Sequence, residues 1–186
     1  LLAAHMGARV IALDTSEERL ARAKEFGADV LINPLKTENV VQAIRSLTHG
    51  RGADVSLDAS SSPQARAQAV RCVRTWGKAC FVGEGDSVTL DVSSDLLRRQ
   101  VTLMGSWTFS TIGQADCARY IADRGIDIDR LFTHRWKLEQ AEEGLDVPGL
   151  VKATVRTATL ERFTFHRGKV DRVESPAAEA VPLEKQ

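Results

Sequence analysis

Short apolar runs alternate with longer amphipathic stretches along most of this chain. The runs are rich in Val, Ile, Leu and Phe and lack a strict apolar–polar alternation, which is typical of strands buried on both faces of a sheet. They occupy Val10–Leu13, Val30–Ile32, Ala53–Leu57, Ala79–Val82 and Val101–Met104.

Amphipathic helices are predicted between these runs. Thr15 to Glu18 has the sequence of a capping box, and Gly27 is placed to end the helix that follows it. Helical spacing of apolar residues continues over Leu20–Phe26, Thr37–Leu47, Pro63–Arg74, Gly113–Asp123 and, more briefly, Leu138–Leu145. Strands that alternate with helices of this length predict right-handed crossovers, so the fold class is α/β with a doubly wound parallel sheet.

The strand–helix rhythm changes near Pro148, so we predict one domain over residues 1–147 and a divergent extension over 148–186. Residues 151–165 are Thr-rich and β-prone, and His166–Gly168 is typical of a hairpin turn with a return strand from Lys169. The Ala-, Glu- and Pro-rich tail after Ser175 is predicted to be disordered.

Composition excludes several classes of function for the 186 residues. The 25 basic and 25 acidic side chains balance, which gives no electrostatic basis for binding nucleic acid or an anionic membrane. No apolar run approaches the roughly 20 residues that cross a bilayer. Cys72, Cys80 and Cys117 match no zinc or redox spacing, so we expect idle thiols in a reducing, cytoplasmic compartment.

Asp14 ends the first apolar run, where a ligand would lie in an open parallel sheet. A carboxylate there accepts hydrogen bonds from the vicinal hydroxyls of an adenosine ribose. Asp14 serves equally well as an acid that caps the next helix, and the sequence does not separate the two roles. Arg19, one turn into that helix, would contact a 2′-phosphate if the nucleotide carried one, although a solvated helix face is the favoured interpretation.

The phosphate-binding Gly-x-Gly-x-x-Gly turn of such folds precedes this acid by about 20 residues. Asp14 has only 13 residues before it. We therefore expect the first strand and its Gly-rich turn to precede Leu1, with Leu1–Met6 as the end of the helix that follows them.

Several segments, taken in order, resemble the coenzyme domain of medium-chain, zinc-type alcohol dehydrogenases. The resemblance begins with Gly7–Asp14, Arg19–Asp29 and Ile32–Pro34. Gly50–Val55 with Leu57–Ser60 resembles the family's fourth strand and the loop beneath adenine and ribose. It covers about residues 1–143, and the order and spacing of the segments make it specific.

The rest of the resemblance concerns the coenzyme's reactive end. Gly77–Gly83 is similar to the fifth strand of the family, whose end lies near the nicotinamide. Gly105–Phe109 is similar to the sixth-strand segment beside the carboxamide. Arg130–His134 and Gln140–Glu143 match the approach to the last family helix.

The resemblance implies a dinucleotide-binding domain that holds NAD, with NADP disfavoured because the Asp14 carboxylate would repel a 2′-phosphate. The cofactor-binding residues it implies are Asp14, Arg19, Ala59, Ser60, Val82, Gly83, Gly105, Ser106 and Trp107. Trp107 could instead fill the sheet edge, and Glu84 is expected at the rim of the site.

The resemblance also implies what this chain does not supply. The family's zinc ligands lie in a half that is not matched here, so we assign no catalytic and no metal-binding residues. We expect a small alcohol or polyol substrate for the complete protein, no dehydrogenase activity from this chain alone, and homo-oligomers that pair through the Val101–Met104 edge. His5, His49, His134 and His166 are scattered, which favours packed or surface roles.

Three alternatives remain. A methyltransferase-like domain that binds S-adenosylmethionine would place Asp58 near the adenine and use residues 153–173 as a closing hairpin, but it leaves Gly83 and Gly105–Trp107 unexplained. A non-functional remnant would show poor stability, because a strand that lacks a neighbour leaves an exposed sheet edge. A zinc-free reductase of the same superfamily is also consistent with this sequence.

Overall fold

The computed structural model describes residues 1–107, 110–132, 134–137, 153–156, 162–166 and 169–174. The chain divides into two compact units, Leu1–Asp116 and Cys117–Gln186. The strands described in the first unit are β1 (Ile11–Leu13), β2 (Val30–Ile32), β3 (Ala53–Asp58), β4 (Val73–Phe81) and β5 (Thr102–Gly105). They occupy the predicted apolar runs, so the α/β fold class with parallel strands is confirmed.

Helices connect these strands in the predicted alternation. They are α1 (Leu2–His5), α2 (Glu17–Glu25), α3 (Val40–Leu47), α4 (Pro63–Cys72), a π turn (Val92–Leu96), a 3₁₀ turn (Leu97–Arg99) and α5 (Thr111–Asp123), which spans the division between the units. In this part of the chain, no helix is long and apolar enough to cross a membrane.

The strands pair in parallel as two separate sheets. β1 pairs with β2, with Ile11 opposite Val30, and β3, β4 and β5 pair in that order. Within the described residues, β1 and β3 each pair on one side only. Val55 and Leu57, two residues apart and therefore on one face of β3, are 60% and 66% exposed, so this strand also presents apolar side chains to solvent.

Helix α3 joins the two sheets through the hydrophobic core. Val40 and Ile44 on α3 are each 3% exposed and pack with Ile32 of β2 and with Cys72 and Val73 at the α4–β4 junction. Partly buried side chains from both sheets surround this cluster: Ile11, Val30, Ala53 and Val101. The β1–β2 pair and the β3–β5 sheet therefore share one core, although among the described residues no strand of one pairs with a strand of the other.

Side-chain caps set the helix starts, and some differ from the predictions. Ser16 rather than Thr15 caps α2, its hydroxyl accepting from the Arg19 N–H at 3.3 Å. Asn39 caps α3 by accepting from the Gln42 N–H at 2.9 Å, so this helix begins later than the predicted Thr37. Gly27 follows α2 with φ +93°, as a C-terminal glycine should.

A bulged segment, Arg74–Gly77, separates two paired parts of β4. Ala53 lies opposite Val73, whereas Val55 lies opposite Lys78. The Arg99 guanidinium stabilises the start of β4 by donating to the carbonyls of Val70, at 3.2 Å, and Val73. As a result β4 begins at Val73, six residues before Ala79, where the sequence predicted the start of this strand.

The second unit contains short strand pairs. β6 (His134–Lys137) pairs in parallel with β7 (Ala153–Arg156), and β8 (Arg162–His166) pairs antiparallel with β9 (Lys169–Glu174). The second pair is the arrangement that the hairpin interpretation expects. The predicted helix Leu138–Leu145, the boundary at 147/148 and the tail after Ser175 lie outside the described residues.

An ion pair fixes the π turn to the end of α4. The Arg71 guanidinium donates to both carboxylate oxygens of Asp95 at 3.0 Å, and the Asp91 N–H also donates to Asp95 at 3.0 Å. The Arg71 hydrogen bonds hold the pKa of Asp95 below its ordinary value of 3.8. Because the folded-state pKa is depressed, the pair contributes its full stability above about pH 4 and loses it as the pH falls through the folded-state pKa.

We predict that Arg71→Met lowers the free energy of unfolding at pH 7 by about 1–2 kcal/mol, a value reduced because half of the Arg71 side chain is solvated. Urea unfolding of the parent chain and of Arg71→Met at pH 7 and pH 3 measures this change in unfolding free energy. The difference from the parent chain should shrink at pH 3, because below the ordinary pKa of 3.8 the unfolded chain binds a proton at Asp95 and the contribution of the pair falls. An equal difference at both pH values would mean that the loss of unfolding free energy does not come from the Arg71–Asp95 ion pair.

Candidate functional site

The carboxyl ends of β3, β4 and β5 meet at one edge of their sheet. The parallel register places Asp58 opposite Phe81, and Phe81 opposite Gly105. Main-chain hydrogen bonds continue past the strands, from Val82 N–H to the Asp58 carbonyl at 2.8 Å and from Ser106 N–H to the Phe81 carbonyl at 2.9 Å. This is the edge at which ligands bind in open α/β sheets.

A shallow cavity of about 390 Å³ opens at this edge. We call it the strand-end pocket, and it is lined by Phe81–Glu84 from β4 and Gly105–Trp107 from β5. It thus brings together five residues that the sequence assigned to the cofactor: Val82, Gly83, Gly105, Ser106 and Trp107. Glu84, expected at the rim, also lines the pocket.

Ala59 and Ser60 lie behind the pocket wall rather than in its lining. A Cβ atom built on Gly83 would lie 2.6 Å from Ser61 N and 2.9 Å from the carbonyl carbon of Ala59. The loop after β3 therefore packs directly on the turn after β4, and only glycine allows that approach. The Ser60 hydroxyl donates to the Asp58 carboxylate at 2.6 Å.

Asp14 and Arg19 lie at the end of β1, apart from the strand-end pocket lining. Asp14 Oδ1 accepts from the Ser16 N–H at 2.8 Å and lies 3.6 Å from an Arg19 guanidinium nitrogen. The carboxylate thus holds the turn that leads into α2, whereas Ser16 caps the helix itself. The Asp14 side chain remains 30% exposed, so a ribose can still approach it.

Sequence reasoning missed the contribution of Arg66. It included Asp58 in the Leu57–Ser60 segment of the family resemblance and gave it an individual role only in the methyltransferase alternative. Both are buried, at 8% and 5% exposure, and they lie behind the strand-end pocket. One signal was present, since Asp58 ends its strand in the same way as Asp14 ends β1. Nothing in the sequence showed that Arg66, on the following helix, turns back towards that carboxylate.

The residues described here do not fit a zinc site. Within the described ranges, no group of three His, Cys, Asp or Glu side chains is placed to hold a metal ion. Burial raises the pKa of the Cys72 thiol to about 11, which makes it a poor ligand and nucleophile at neutral pH. His5 Nδ1 lies 3.1 Å from the Leu1 carbonyl, a local helix contact.

Comparison with known proteins gives the family. Residues 1–123 match the family described as zinc-binding dehydrogenase. Over 142 residues the chain is 39% identical to YphC of Escherichia coli strain K12, a zinc-type alcohol dehydrogenase-like protein, covering 76% of this chain and 40% of the relative. Over 144 residues it is 35% identical to L-threonine 3-dehydrogenase of Symbiobacterium thermophilum, covering 75% and 40%.

A solved structure shows the same fold. The zinc-binding dehydrogenase of Sinorhizobium meliloti 1021 bound to NADP superposes with a TM-score of 0.67 at 25% identity, covering 80% of this chain and 45% of that chain. The protein therefore belongs to the zinc-binding dehydrogenase family and carries its coenzyme-binding part. The chain spans about 40% of the length of the curated relatives named here.

Two glycines in the strand-end pocket give a matched test of its wall. We predict that Gly83→Ala costs about 1–3 kcal/mol of unfolding free energy, because the added methyl group meets main-chain atoms of the β3 loop. Gly105→Ala should be nearly neutral, since a Cβ there meets no atom within 4 Å. Thermal unfolding of both variants checks this, and equal losses would contradict the packing described.

Proposed function

We propose that this chain is the NAD-binding part of a zinc-type alcohol or polyol dehydrogenase. The observation that carries the proposal is the strand-end pocket, where Val82, Gly83, Gly105, Ser106 and Trp107 converge at the carboxyl edge of parallel strands. Its mixed apolar and main-chain lining suits a flat ring with an amide group. The NADP bound in the Sinorhizobium meliloti relative supports the nicotinamide class.

The other end of the coenzyme is assigned to Asp14 and Arg19. Asp14 lies at the end of β1, a position suited to a ribose diol, and both the Ser16 N–H and the Arg19 guanidinium approach its carboxylate through Oδ1. The Arg19–Asp14 ion pair is 3.6 Å long, and the two side chains are 60% and 30% exposed. Since a carboxylate repels a 2′-phosphate, Asp14 favours NAD over NADP.

The bound coenzyme supplies the hydride acceptor for an alcohol, while this chain's residues bind and orient it. Val82 and Trp107 would pack against the nicotinamide ring at the strand-end pocket. Gly105, where a Cβ would meet no atom of the described residues within 4 Å, would let the coenzyme approach the main chain closely, and Gly83 keeps the pocket wall packed on the β3 loop. We assign no catalytic residue to this chain. Pairing of two copies through β5, whose Leu103 and Met104 are about 40% exposed, stays a prediction.

We predict saturable binding of NADH, followed by energy transfer from tryptophan to the dihydronicotinamide, with weaker binding of NADPH and no binding of S-adenosylmethionine. Asp14→Asn keeps an acceptor for the Ser16 N–H but removes the charge. It should weaken NADH binding about tenfold and narrow the preference over NADPH, because one charged hydrogen-bond partner is lost.

Asp29→Asn is the control for this experiment, since Asp29 lies at the opposite end of the β1–β2 pair, where its carboxylate accepts from the Val10 N–H. It should leave the NADH affinity unchanged. Saturable binding of S-adenosylmethionine in place of NADH would overturn the proposal in favour of the methyltransferase interpretation. An NADH affinity insensitive to Asp14→Asn would remove Asp14 from the site.

We also predict that the purified chain, supplied with NAD⁺, zinc and polyols or L-threonine, forms no NADH. The described residues contain no ligand set for the metal that polarises the alcohol in this family. Absorbance at the NADH band over hours of incubation checks this prediction. Zinc-dependent NADH formation, abolished by a chelator, would contradict it.

A further inference from the structure

Asp58 and Arg66 form a buried pair of opposite charges behind the strand-end pocket. Their side chains are 3% and 10% exposed, and Arg66 Nε lies 3.6 Å from Asp58 Oδ2. Removing two charges from water costs more than their attraction returns unless further hydrogen bonds satisfy both groups. Asp58 accepts several such bonds, whereas within the described part of the chain Arg66 Nε makes none and the guanidinium donates through Nη2 instead. The partners of these bonds show what the pair holds together.

Asp58 holds the loop after β3. Its carboxylate accepts from the Ser60 N–H at 3.2 Å, the Ser60 hydroxyl at 2.6 Å and the Ser61 N–H at 3.2 Å. Ser61 has φ +62°, a left-handed conformation that costs free energy for any residue other than glycine. These bonds therefore maintain a strained turn directly behind Gly83.

Arg66 holds the wall of the strand-end pocket itself. Its Nη2 atom donates to the Gly83 carbonyl at 2.6 Å, and its guanidinium lies 5.7 Å from the centre of the Phe81 ring. Phe81 and Gly83 line the pocket, whereas Arg66 does not. Arg66 thus acts on the pocket through two of its lining residues.

We propose that Arg66, anchored by Asp58, is a positioning residue for the strand-end pocket. It fixes the Phe81–Glu84 wall against the β3 loop, and the affinity of the pocket for the nicotinamide half of the coenzyme depends on that wall. The effect of this wall on coenzyme affinity rests on the proposed function. The fixing of the wall by Arg66 concerns only this chain and is testable without a ligand.

Helix α4 offers an internal control. Arg71, near its other end, also pairs with a buried aspartate, Asp95, but fixes the π turn rather than the pocket. Arg66→Met and Arg71→Met thus make the same change at two ion pairs on one helix, each with a buried aspartate, although the Arg71 side chain is 47% exposed and that of Arg66 10%. Of these two arginines, Arg66 is the one that donates a hydrogen bond to a residue lining the strand-end pocket, Gly83.

The experiment compares the full chain with Arg66→Met, Arg66→Lys and Arg71→Met. Amide hydrogen exchange, followed by NMR where all variants are folded, reports on the Val82 and Gly83 N–H groups that donate to the Asp58 carbonyl. We expect exchange there to be at least about tenfold faster in Arg66→Met than in Arg71→Met, since one charged hydrogen bond is lost. Arg66→Lys should restore part of the protection, because an ammonium can still donate to the Gly83 carbonyl.

NADH titration of the same variants is the second readout. We expect affinity to fall about tenfold in Arg66→Met and to be unchanged in Arg71→Met. Equal exchange at Val82 and Gly83 in the two Met variants, or equal NADH affinities, would overturn the positioning role. If the parent chain binds no NADH, the proposed function fails, and the exchange comparison alone decides the role of Arg66.

A variant that does not fold would remove the Met comparison. Arg66→Gln keeps one donor for the Gly83 carbonyl and loses the charge, and Arg71→Gln is its match. A smaller ratio of exchange rates at Val82 and Gly83 than in the Met pair is then expected, because the Gln amide can still donate to the Gly83 carbonyl, and equal rates in Arg66→Gln and Arg71→Gln again overturn the proposal.

Discussion

Asp58 is the residue on which the candidate site depends, because it joins three separate pieces of backbone at the end of β3. Its carbonyl accepts from Val82 and Gly83, its carboxylate accepts from Ser60 and Ser61, and its charge is balanced by Arg66. Each connection would be weak in water, but together, and out of contact with solvent, they satisfy a buried charge. The geometry of the strand-end pocket depends on these hydrogen bonds and on the ion pair of Asp58.

Parallel pairing explains the position of the strand-end pocket, and it also shows which strands have an unpaired side. Strands that run in the same direction bring their carboxyl ends to one edge, so loops after β3, β4 and β5 must meet there. The same pairing leaves β1 and β3 each with one unpaired side in the described residues, with Val55 and Leu57 exposed on β3. Helix α3 stabilises this arrangement by packing on both sheets, which places the two parts of the proposed coenzyme site in one unit.

The sequence predicted the α/β class because its signals were local. Apolar runs of three to five residues, glycine at a helix end and helical spacing reveal strands and helices without knowledge of their neighbours. Caps were less reliable, since Thr15 and Ser16 are both good capping residues and only the folded backbone chose Ser16. The pocket residues at 82, 83 and 105–107 came from family resemblance, whereas Arg66 depended on a helix turning back onto a strand end. Such a long-range contact leaves no periodic signal in the sequence.

The most direct measurement is an NMR titration of the isotope-labelled chain with NADH, read at the main-chain amides. If the strand-end pocket holds the nicotinamide, the signals of Val82, Gly83, Gly105 and Ser106 shift together along one saturation curve, and Ser16, beside the Asp14 carboxylate, follows the same curve. Shifts confined to another surface, or no saturable shift at the strand-end pocket, would contradict the assignment of this chain as a nicotinamide-binding domain.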